Sequence, residues 1–216
     1  MSATASLATN QTSATIHISG LILSGGRGTR MGEVDKGLQA FNGEPMVAQI
    51  IRRFAPQVAH LAINANQNLT QYQAFGLDVL PDHMPDFAGP LAGLQTGLMQ
   101  CRTPLLATAP CDSPFLPHDL VSRLYRALTQ ADAELALAVT DDASRRQRHP
   151  VFCLLQTDLL PRLTQFLDHG GRRMNDWFAT LATVEVPFPD ATAFSNINTR
   201  QELAALESLS ATAPPP

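Results

Sequence analysis

The chain has only three cysteines among its 216 residues, and no two of them form a CxxC pair. A small, odd number of cysteines argues against the disulfide framework of small secreted domains. No apolar run approaches the roughly 20 residues that a membrane-spanning helix needs. The first fifteen residues also lack the basic start and apolar centre of a secretory signal. These absences predict a soluble, cytoplasmic protein with no membrane partner.

Positive charge is scarce as well, since the chain has 15 lysines and arginines against 19 acidic residues, which gives a formal net charge of −4. Such a chain lacks the basic field that holds a nucleic-acid backbone, so no nucleic-acid partner is expected. Local clusters of cations are suited instead to binding a small anionic ligand. The alternative for each cluster is that its side chains are simply solvent-exposed on the surface. The clusters are Arg27, Arg30 and Lys36; Arg145, Arg146 and Arg148; and Arg172 with Arg173.

Short β-rich runs alternate with helical patterns, which is typical of a parallel sheet covered by helices. Candidate strands, several almost continuously apolar as buried strands are, lie at 16–24, 58–64, 77–80, 104–110, 134–140 and 150–156. Apolar residues at helical spacing predict helices at 45–55, 118–130 and 158–169, and a capping box of Thr199 and Glu202 predicts a last helix at 199–209. We therefore expect an α/β fold, a single Rossmann-like, doubly wound domain over 16–208 with a mostly parallel central sheet. Residues 1–15 and 209–216 are expected to be disordered tails.

Ligands of doubly wound folds bind beyond the carboxyl ends of the strands, so the loop after the first strand is a candidate binding site. Its sequence, "LSGGRGTRMGEVDKGL" at 23–38, is not a Walker A loop, because Gly37 rather than Ser or Thr follows Lys36. It is not a dinucleotide fingerprint either, because its third glycine, Gly32, comes one position late. Glycine backbone amides and the nearby cations are nevertheless suited to a triphosphate. The alternative is a mobile glycine loop with exposed arginines.

A carboxylate follows another apolar strand, where "APCDSPFLP" places Asp112 just beyond the strand predicted at 104–110. Such a carboxylate suits Mg²⁺, a hard cation that takes few protein ligands and keeps water and phosphate oxygens for the rest. The alternative is that Asp112, alongside Ser113, caps the following helix.

Three glycines recur every four residues at Gly89, Gly93 and Gly97, which places them on one face of a helix. We expect Gly97 to allow close packing against the sheet, and Gly89 and Gly93 to bring backbone amides towards a ligand. The six histidines show no paired metal-ligand spacing, so zinc is not expected. His149, before the last predicted strand, is interpreted as structural and near the mouth of the site.

Taken in order, these motifs resemble the molybdenum cofactor guanylyltransferases, which join GMP from GTP to molybdopterin. The matching segments run from about residue 18 to 205 and are "LSGGRGTRMGEVDKGL", "NGEPM", "INAN", "PDHMPDFAGPLAGL", "APCDSPFLP", His149-Pro150 and "NINT". The resemblance implies a nucleotide-diphospho-sugar transferase-like fold, Mg²⁺ as cofactor, and GTP and molybdopterin as substrates. It further implies transient contacts with other cofactor-biosynthesis proteins and recipient molybdoenzymes.

The resemblance also implies a role for each matching residue. The expected catalytic residues are Arg30, Lys36 and Asp112, and Asp112 is also the expected Mg²⁺ ligand. The expected GTP-binding positions are Leu23, Ser24, Gly25, Gly26, Lys36, Asn64 and Asp82. Further active-site positions, some on the molybdopterin side, are Gly32, Gly93, Asn196 and Asn198.

Two other functions remain open at this stage. One is the same chemistry with a different nucleotide or acceptor, as in a molybdopterin cytidylyltransferase or a sugar-phosphate nucleotidyltransferase. The other is a GTP-binding module that delivers or senses the cofactor without catalysis.

Overall fold

The computed structural model describes residues 18–24, 35–84, 89–142, 145–197 and 202. The described strands are β1 (Ile18–Leu23), β2 (Ala40–Phe41), β3 (Glu44–Pro45), β4 (His60–Asn64), β5 (Asp78–Leu80), β6 (Leu105–Pro110), β7 (Leu135–Asp142), β8 (Arg145–Gln156) and β9 (Thr183–Phe188). Seven of them form one sheet in the order β5-β4-β1-β6-β8-β7-β9, and β2 and β3 form a separate antiparallel pair.

The described α-helices are α1 (Met46–Phe54), α2 (Leu69–Gln73), α3 (Pro90–Gln100), α4 (Leu120–Gln130), α5 (Leu160–Asp168) and α6 (Met174–Phe178). Short 3-10 turns lie at Lys36–Leu38, Ala55–Gln57, Thr157–Leu159 and Thr192–Phe194. Helix α1 forms where predicted, with its apolar positions buried and its two arginines on the other side. Helix α5 ends at Asp168 and is followed by Gly170, whose φ of +85° glycine adopts without steric cost. Of the helix predicted at 199–209 only Glu202 is described, and it is helical.

The central sheet is mostly parallel, as the sequence predicts. Strand β1 pairs in parallel with β4 and β6, β4 with β5, and β7 with β9, whereas β8 runs antiparallel to both β6 and β7. Only two residues separate β7 from β8, far fewer than the dozen or more that a parallel crossover requires. Strand β8 begins at Arg145 rather than at 150 because residues 145–148 pair with the end of β7.

Helices cover both faces of the sheet, which confirms the doubly wound prediction. Helices α1 and α4 pack on one face around Phe54 and Leu124, while α3, α5 and α6 pack on the other around Leu94 and Trp177. Helix α3 is buried over most of its length because its residues are apolar or small. Each face therefore has its own apolar core.

Among the described residues, no helix is long and apolar enough to cross a lipid bilayer. The predicted domain limits, residues 16 and 208, and the predicted tails at 1–15 and 209–216 lie outside the described residues.

The four parallel strands β5, β4, β1 and β6 all end at one edge of the sheet, and a polar residue stands at or just after each end. These residues are Asp82, Asn64, Ser24 and Asp112. The topology therefore collects at one edge side chains that are up to 88 positions apart in the sequence.

Candidate active site

The backbone at this edge stays paired beyond the end of β1. The Ser24 N–H donates to the Asn64 carbonyl at 2.8 Å, and the Cys111 N–H donates to the Leu23 carbonyl at 3.2 Å. The first residues of the loops after β1 and β6 are thus fixed relative to β4 and to each other. Leu23 is buried as the last residue of β1, and Ser24 is partly exposed at the edge.

An ion pair between Lys36 and Asp112 lies on the β6 side of the edge. Lys36 Nζ donates to Asp112 Oδ2 at 3.3 Å, and Asp112 is only 8% exposed. Burial raises the pKa of the Asp112 carboxyl, and the Lys36 ammonium opposes that shift. Asp112 does not cap α4, whose N-cap position is occupied by Asp119. The buried carboxylate is therefore held by a cation rather than by a helix end.

The loop after β6 is also hydrogen-bonded to residues 196 and 197. The Ile197 N–H donates to the Asp112 carbonyl at 2.9 Å, and the Ser113 hydroxyl donates to Asn196 Oδ1 at 2.7 Å. The structure thus places Asn196 beside the loop that carries Asp112.

The chemistry of Asp112 fits a hard divalent cation. It offers carboxylate oxygens at a strand end, where a cation would share the carboxylate with the Lys36 ammonium. In the part of the chain that the structure describes, no three His, Cys, Asp or Glu side chains form a metal cage. A cation on Asp112 would therefore take most of its remaining ligands from phosphate oxygens and water, as Mg²⁺ commonly does.

A network of amide side chains holds Asp82 on the β4 and β5 side of the edge. Asn64 Nδ2 donates to Asp82 Oδ1 at 2.8 Å and to the Leu80 carbonyl at 2.9 Å. Asn66 Nδ2 donates to Asp82 Oδ2 at 2.8 Å, and the Asp82 N–H donates back to Asn66 Oδ1 at 2.8 Å. Each carboxylate oxygen has further acceptor capacity. Asp82 is thus an oriented, partly exposed acceptor.

Gly93, in α3, lies directly against Asn64. A Cβ at position 93 would lie 2.1 Å from Asn64 Oδ1 and 2.8 Å from a methyl carbon of Leu23, so no larger residue fits without moving Asn64. At Gly97, one turn further along, a Cβ would lie 2.4 Å from a methyl carbon of Leu21. The close packing predicted for Gly97 is observed, and Gly93 packs just as closely.

We expect Gly93→Ala to raise the KM for the substrate bound at this edge roughly tenfold, because the new methyl group displaces the Asn64 amide that orients Asp82. It should also cost about 1–3 kcal/mol of unfolding free energy, the usual cost of overpacking. Gly97→Ala is the matched control, with a similar stability loss and an unchanged KM. Steady-state kinetics and urea denaturation of both variants test this, and equal KM values would contradict it.

Some predicted positions lie outside the described residues, namely Gly25, Gly26, Arg30, Gly32 and Asn198. The other cation clusters are engaged elsewhere. Arg146 and Arg148 both pair with Glu185, at 2.8 and 2.6 Å, and an Arg172 guanidinium nitrogen donates to the Leu167 and Gly171 carbonyls. These contacts stabilise the surface of β8 and β9 and the end of α5.

His149 has structural contacts, in agreement with its interpretation from sequence. Its Nε2 lies 2.8 Å from the Thr140 hydroxyl oxygen, and its ring stacks on Phe194 with 4.7 Å between centroids. Burial lowers the pKa of His149, which favours the neutral ring. It joins β7 and β8 to the turn at Thr192–Phe194.

Sequence reasoning missed several polar residues of this edge, namely Asp35, Asn66, Asn68 and Tyr72. Asn66 and Asp35 had a usable signal, since each lies within two positions of a predicted site residue. A second signal was also overlooked. Lys36 is the only lysine of the chain, and all other basic side chains apart from histidine are arginines.

Known proteins are similar to this chain over most of its length. Residues 20–184 match the model of the MobA-like NTP transferase domain family. A molybdenum cofactor guanylyltransferase of Ralstonia nicotianae is 55% identical over 197 residues, which cover 89% of this chain and 97% of the relative. One from Acidovorax sp. strain JS42 is 48% identical over 202 residues, with coverages of 89% and 96%. These matches confirm the resemblance predicted from the motifs.

Two solved structures are similar in fold. One is a molybdopterin-guanine dinucleotide biosynthesis protein A from Archaeoglobus fulgidus, with a TM-score of 0.72 and 17% identity over 90% of this chain and 100% of that chain. The other is a 4-diphosphocytidyl-2C-methyl-D-erythritol synthase from Anaerococcus prevotii, with a TM-score of 0.71 and 11% identity over 92% of this chain and 99% of that chain. At these identities they show the fold alone, and they confirm the predicted fold class.

Proposed function

Because the chain belongs to the molybdenum cofactor guanylyltransferases within the MobA-like NTP transferases, we propose that GTP and molybdopterin react at the carboxyl edge of β1, β4, β5 and β6. This proposal is supported chiefly by one observation: the Lys36–Asp112 ion pair and the Asn64–Asp82 hydrogen-bond network lie at the same edge of one sheet. The ion pair is suited to binding a triphosphate with its metal ion, and the network is suited to binding a nucleotide base.

Asp82 would face the guanine of GTP. Its carboxylate has acceptor capacity for the N1–H and the 2-amino group of guanine, a donor pair that neither adenine nor cytosine presents. The amides of Asn64 and Asn66 hold the carboxylate in one orientation before the nucleotide arrives. Such preorganisation supports a role in selecting GTP.

The transfer step needs no nucleophilic side chain. The terminal phosphate of molybdopterin is already ionised, so its oxygen attacks the α-phosphorus of GTP, the bond to the bridging oxygen breaks, and pyrophosphate leaves. Lys36 would neutralise the charge that develops on pyrophosphate, together with Arg30, which lies outside the described residues. Mg²⁺ held by Asp112 would supply Lewis-acid charge on phosphate oxygens.

The proposal is tested by measuring pyrophosphate release with molybdopterin, Mg²⁺ and each of GTP, CTP, ATP and UTP. We expect release with GTP alone, and loss of release when Mg²⁺ is chelated. Release with CTP but not GTP would identify a cytidylyltransferase. GTP binding without release would identify a carrier.

We further propose that the reaction takes place in the cytoplasm, with transient contacts to recipient molybdoenzymes.

Replacing Asp82 with asparagine is expected to lower kcat/KM for GTP by about 10²-fold, since one acceptor oxygen becomes an amide donor facing the donors of guanine. The matched control is Asp78→Asn, which changes an exposed aspartate on the first residue of β5 and should leave kcat/KM unchanged. Competition between GTP and CTP measures the selectivity directly. Equal losses in both variants would remove Asp82 from base recognition.

A further inference from the structure

Tyr72, on the short helix α2, is fully buried next to the turn that carries Lys36. Its hydroxyl donates to Asp35 Oδ1 at 2.6 Å and also contacts the Ser24 hydroxyl. A phenol has one proton and a carboxylate only accepts, so the Ser24 hydroxyl is the donor to Tyr72. Tyr72 thus connects the residue that follows β1 with the residue that precedes Lys36.

Asp35 joins Tyr72 to the turn at Lys36–Leu38. The oxygen that accepts from Tyr72 also accepts from the Gly37 N–H at 3.2 Å, which makes Asp35 the N-cap of the turn. The other oxygen accepts from Asn68 Nδ2 at 3.1 Å, just before α2. Both carboxylate oxygens are therefore engaged, and α2 fixes where the turn begins.

The turn also packs directly against the Tyr72 hydroxyl. A Cβ at Gly37 would lie 2.5 Å from that oxygen and 3.1 Å from Ser24 Oγ and from Cys111 Cβ, so only glycine fits at this position unless its neighbours move. From this turn Lys36 Nζ reaches Asp112 Oδ2 at 3.3 Å. Burial raises the pKa of Tyr72, so its hydroxyl remains a donor at neutral pH.

We propose that Tyr72 is a positioning residue for nucleotidyl transfer, which fixes through Asp35 the turn that presents Lys36 to Asp112 and to the leaving pyrophosphate. Tyr72 acts through Lys36 and not on the substrate. This role rests on the proposed function, because that function places pyrophosphate at Lys36.

Steady-state kinetics test the role with the only two tyrosines of the chain. Tyr72→Phe should lower kcat/KM for GTP roughly 10- to 100-fold, the range expected when a transition-state contact is misplaced by about an ångström. Tyr125→Phe, on α4 against the same core, should match the wild type. In a Lys36→Met background, Tyr72→Phe should change the rate little further. The same loss with and without Lys36 would overturn the proposal.

A second readout needs no enzymatic activity. An amine-reactive reagent labels only Lys36 and the chain's amino terminus, which peptide mass mapping separates. Tyr72→Phe should label Lys36 faster than the wild type, since the ammonium spends less time paired with Asp112, whereas Tyr125→Phe should label at the wild-type rate. A wild-type labelling rate in Tyr72→Phe would overturn the proposal, whatever the transfer assay gives.

The two readouts separate this role from the proposed function. Faster labelling in Tyr72→Phe, together with a wild type that releases no pyrophosphate, would reject the proposed function but keep the positioning of Lys36.

If Tyr72→Phe does not fold, Asp35→Ala removes the same hydrogen bond by changing a partly exposed residue. We expect the same kinetic loss and faster labelling, and wild-type values for both would overturn the proposal.

Discussion

Asp112→Asn is expected to reduce pyrophosphate release from GTP and molybdopterin on the order of 10³-fold. The substitution keeps the size of the side chain but removes the negative charge that pairs with Lys36, at a residue that is 8% exposed just beyond β6. GTP binding should fall far less, because Asp82 and Asn64, the residues proposed to recognise the base, lie on the β4 and β5 side of the edge. Single-turnover rates and equilibrium GTP binding, measured on the same preparations, separate the two effects.

Asp119→Asn provides the control for this variant. Asp119 follows Asp112 on the same connection between β6 and α4, but it is exposed and paired with Arg123 at 3.6 Å. We expect full activity from it, and thermal denaturation of both variants excludes unfolding as the cause. If Asp112→Asn released pyrophosphate at the wild-type rate, the catalytic role of Asp112 would be rejected. If it lost binding and turnover equally, Asp112 would act only in GTP binding.

The position of the candidate site was predictable because it depends on strand ends. The runs predicted to end at residues 24, 64, 80 and 110 were readable as strands. Parallel pairing then forces the residues at those ends to one edge, whatever their separation in sequence. Asp112 and Asn64 could thus be assigned to one site before the register was known.

The antiparallel direction of β8 and the existence of β9 were not predicted, for different reasons. The antiparallel direction of β8 follows from the short connection between β7 and β8. The predicted strands ended at 140 and began again at 150, so this connection looked longer than it is. Strand β9 has an exposed proline and three partly exposed residues, because it lies at the edge of the sheet beyond β7. It therefore lacks the continuous apolar run of the central strands.

The contacts of Tyr72 and Gly93 were beyond sequence reasoning because they are tertiary. Tyr72 reaches Asp35 across 37 positions from a helix of five residues, too short to show a clear period. Gly93 has the spacing of a packing glycine, yet what it packs against, the amide of Asn64, is known only once α3 lies on the sheet. The spacing was informative for Gly93 alone, and the sequence did not indicate the partner of either residue.

Lys36→Met is expected to lower kcat for pyrophosphate release about 10²-fold, because methionine keeps the length of the side chain but supplies no charge to the leaving group. Lys36→Arg should retain part of the activity, since the charge remains but the planar guanidinium needs more room than an ammonium beside Asp112. Arg52→Met is the control, as Arg52 is an exposed cation paired with Glu44 at 2.6 Å. Because Lys36 is the only lysine, amine labelling of the wild type should slow when GTP and Mg²⁺ are added. If Lys36→Met were as active as Arg52→Met, Lys36 would serve only to balance the buried charge of Asp112, and Arg30 would remain the candidate for neutralising pyrophosphate.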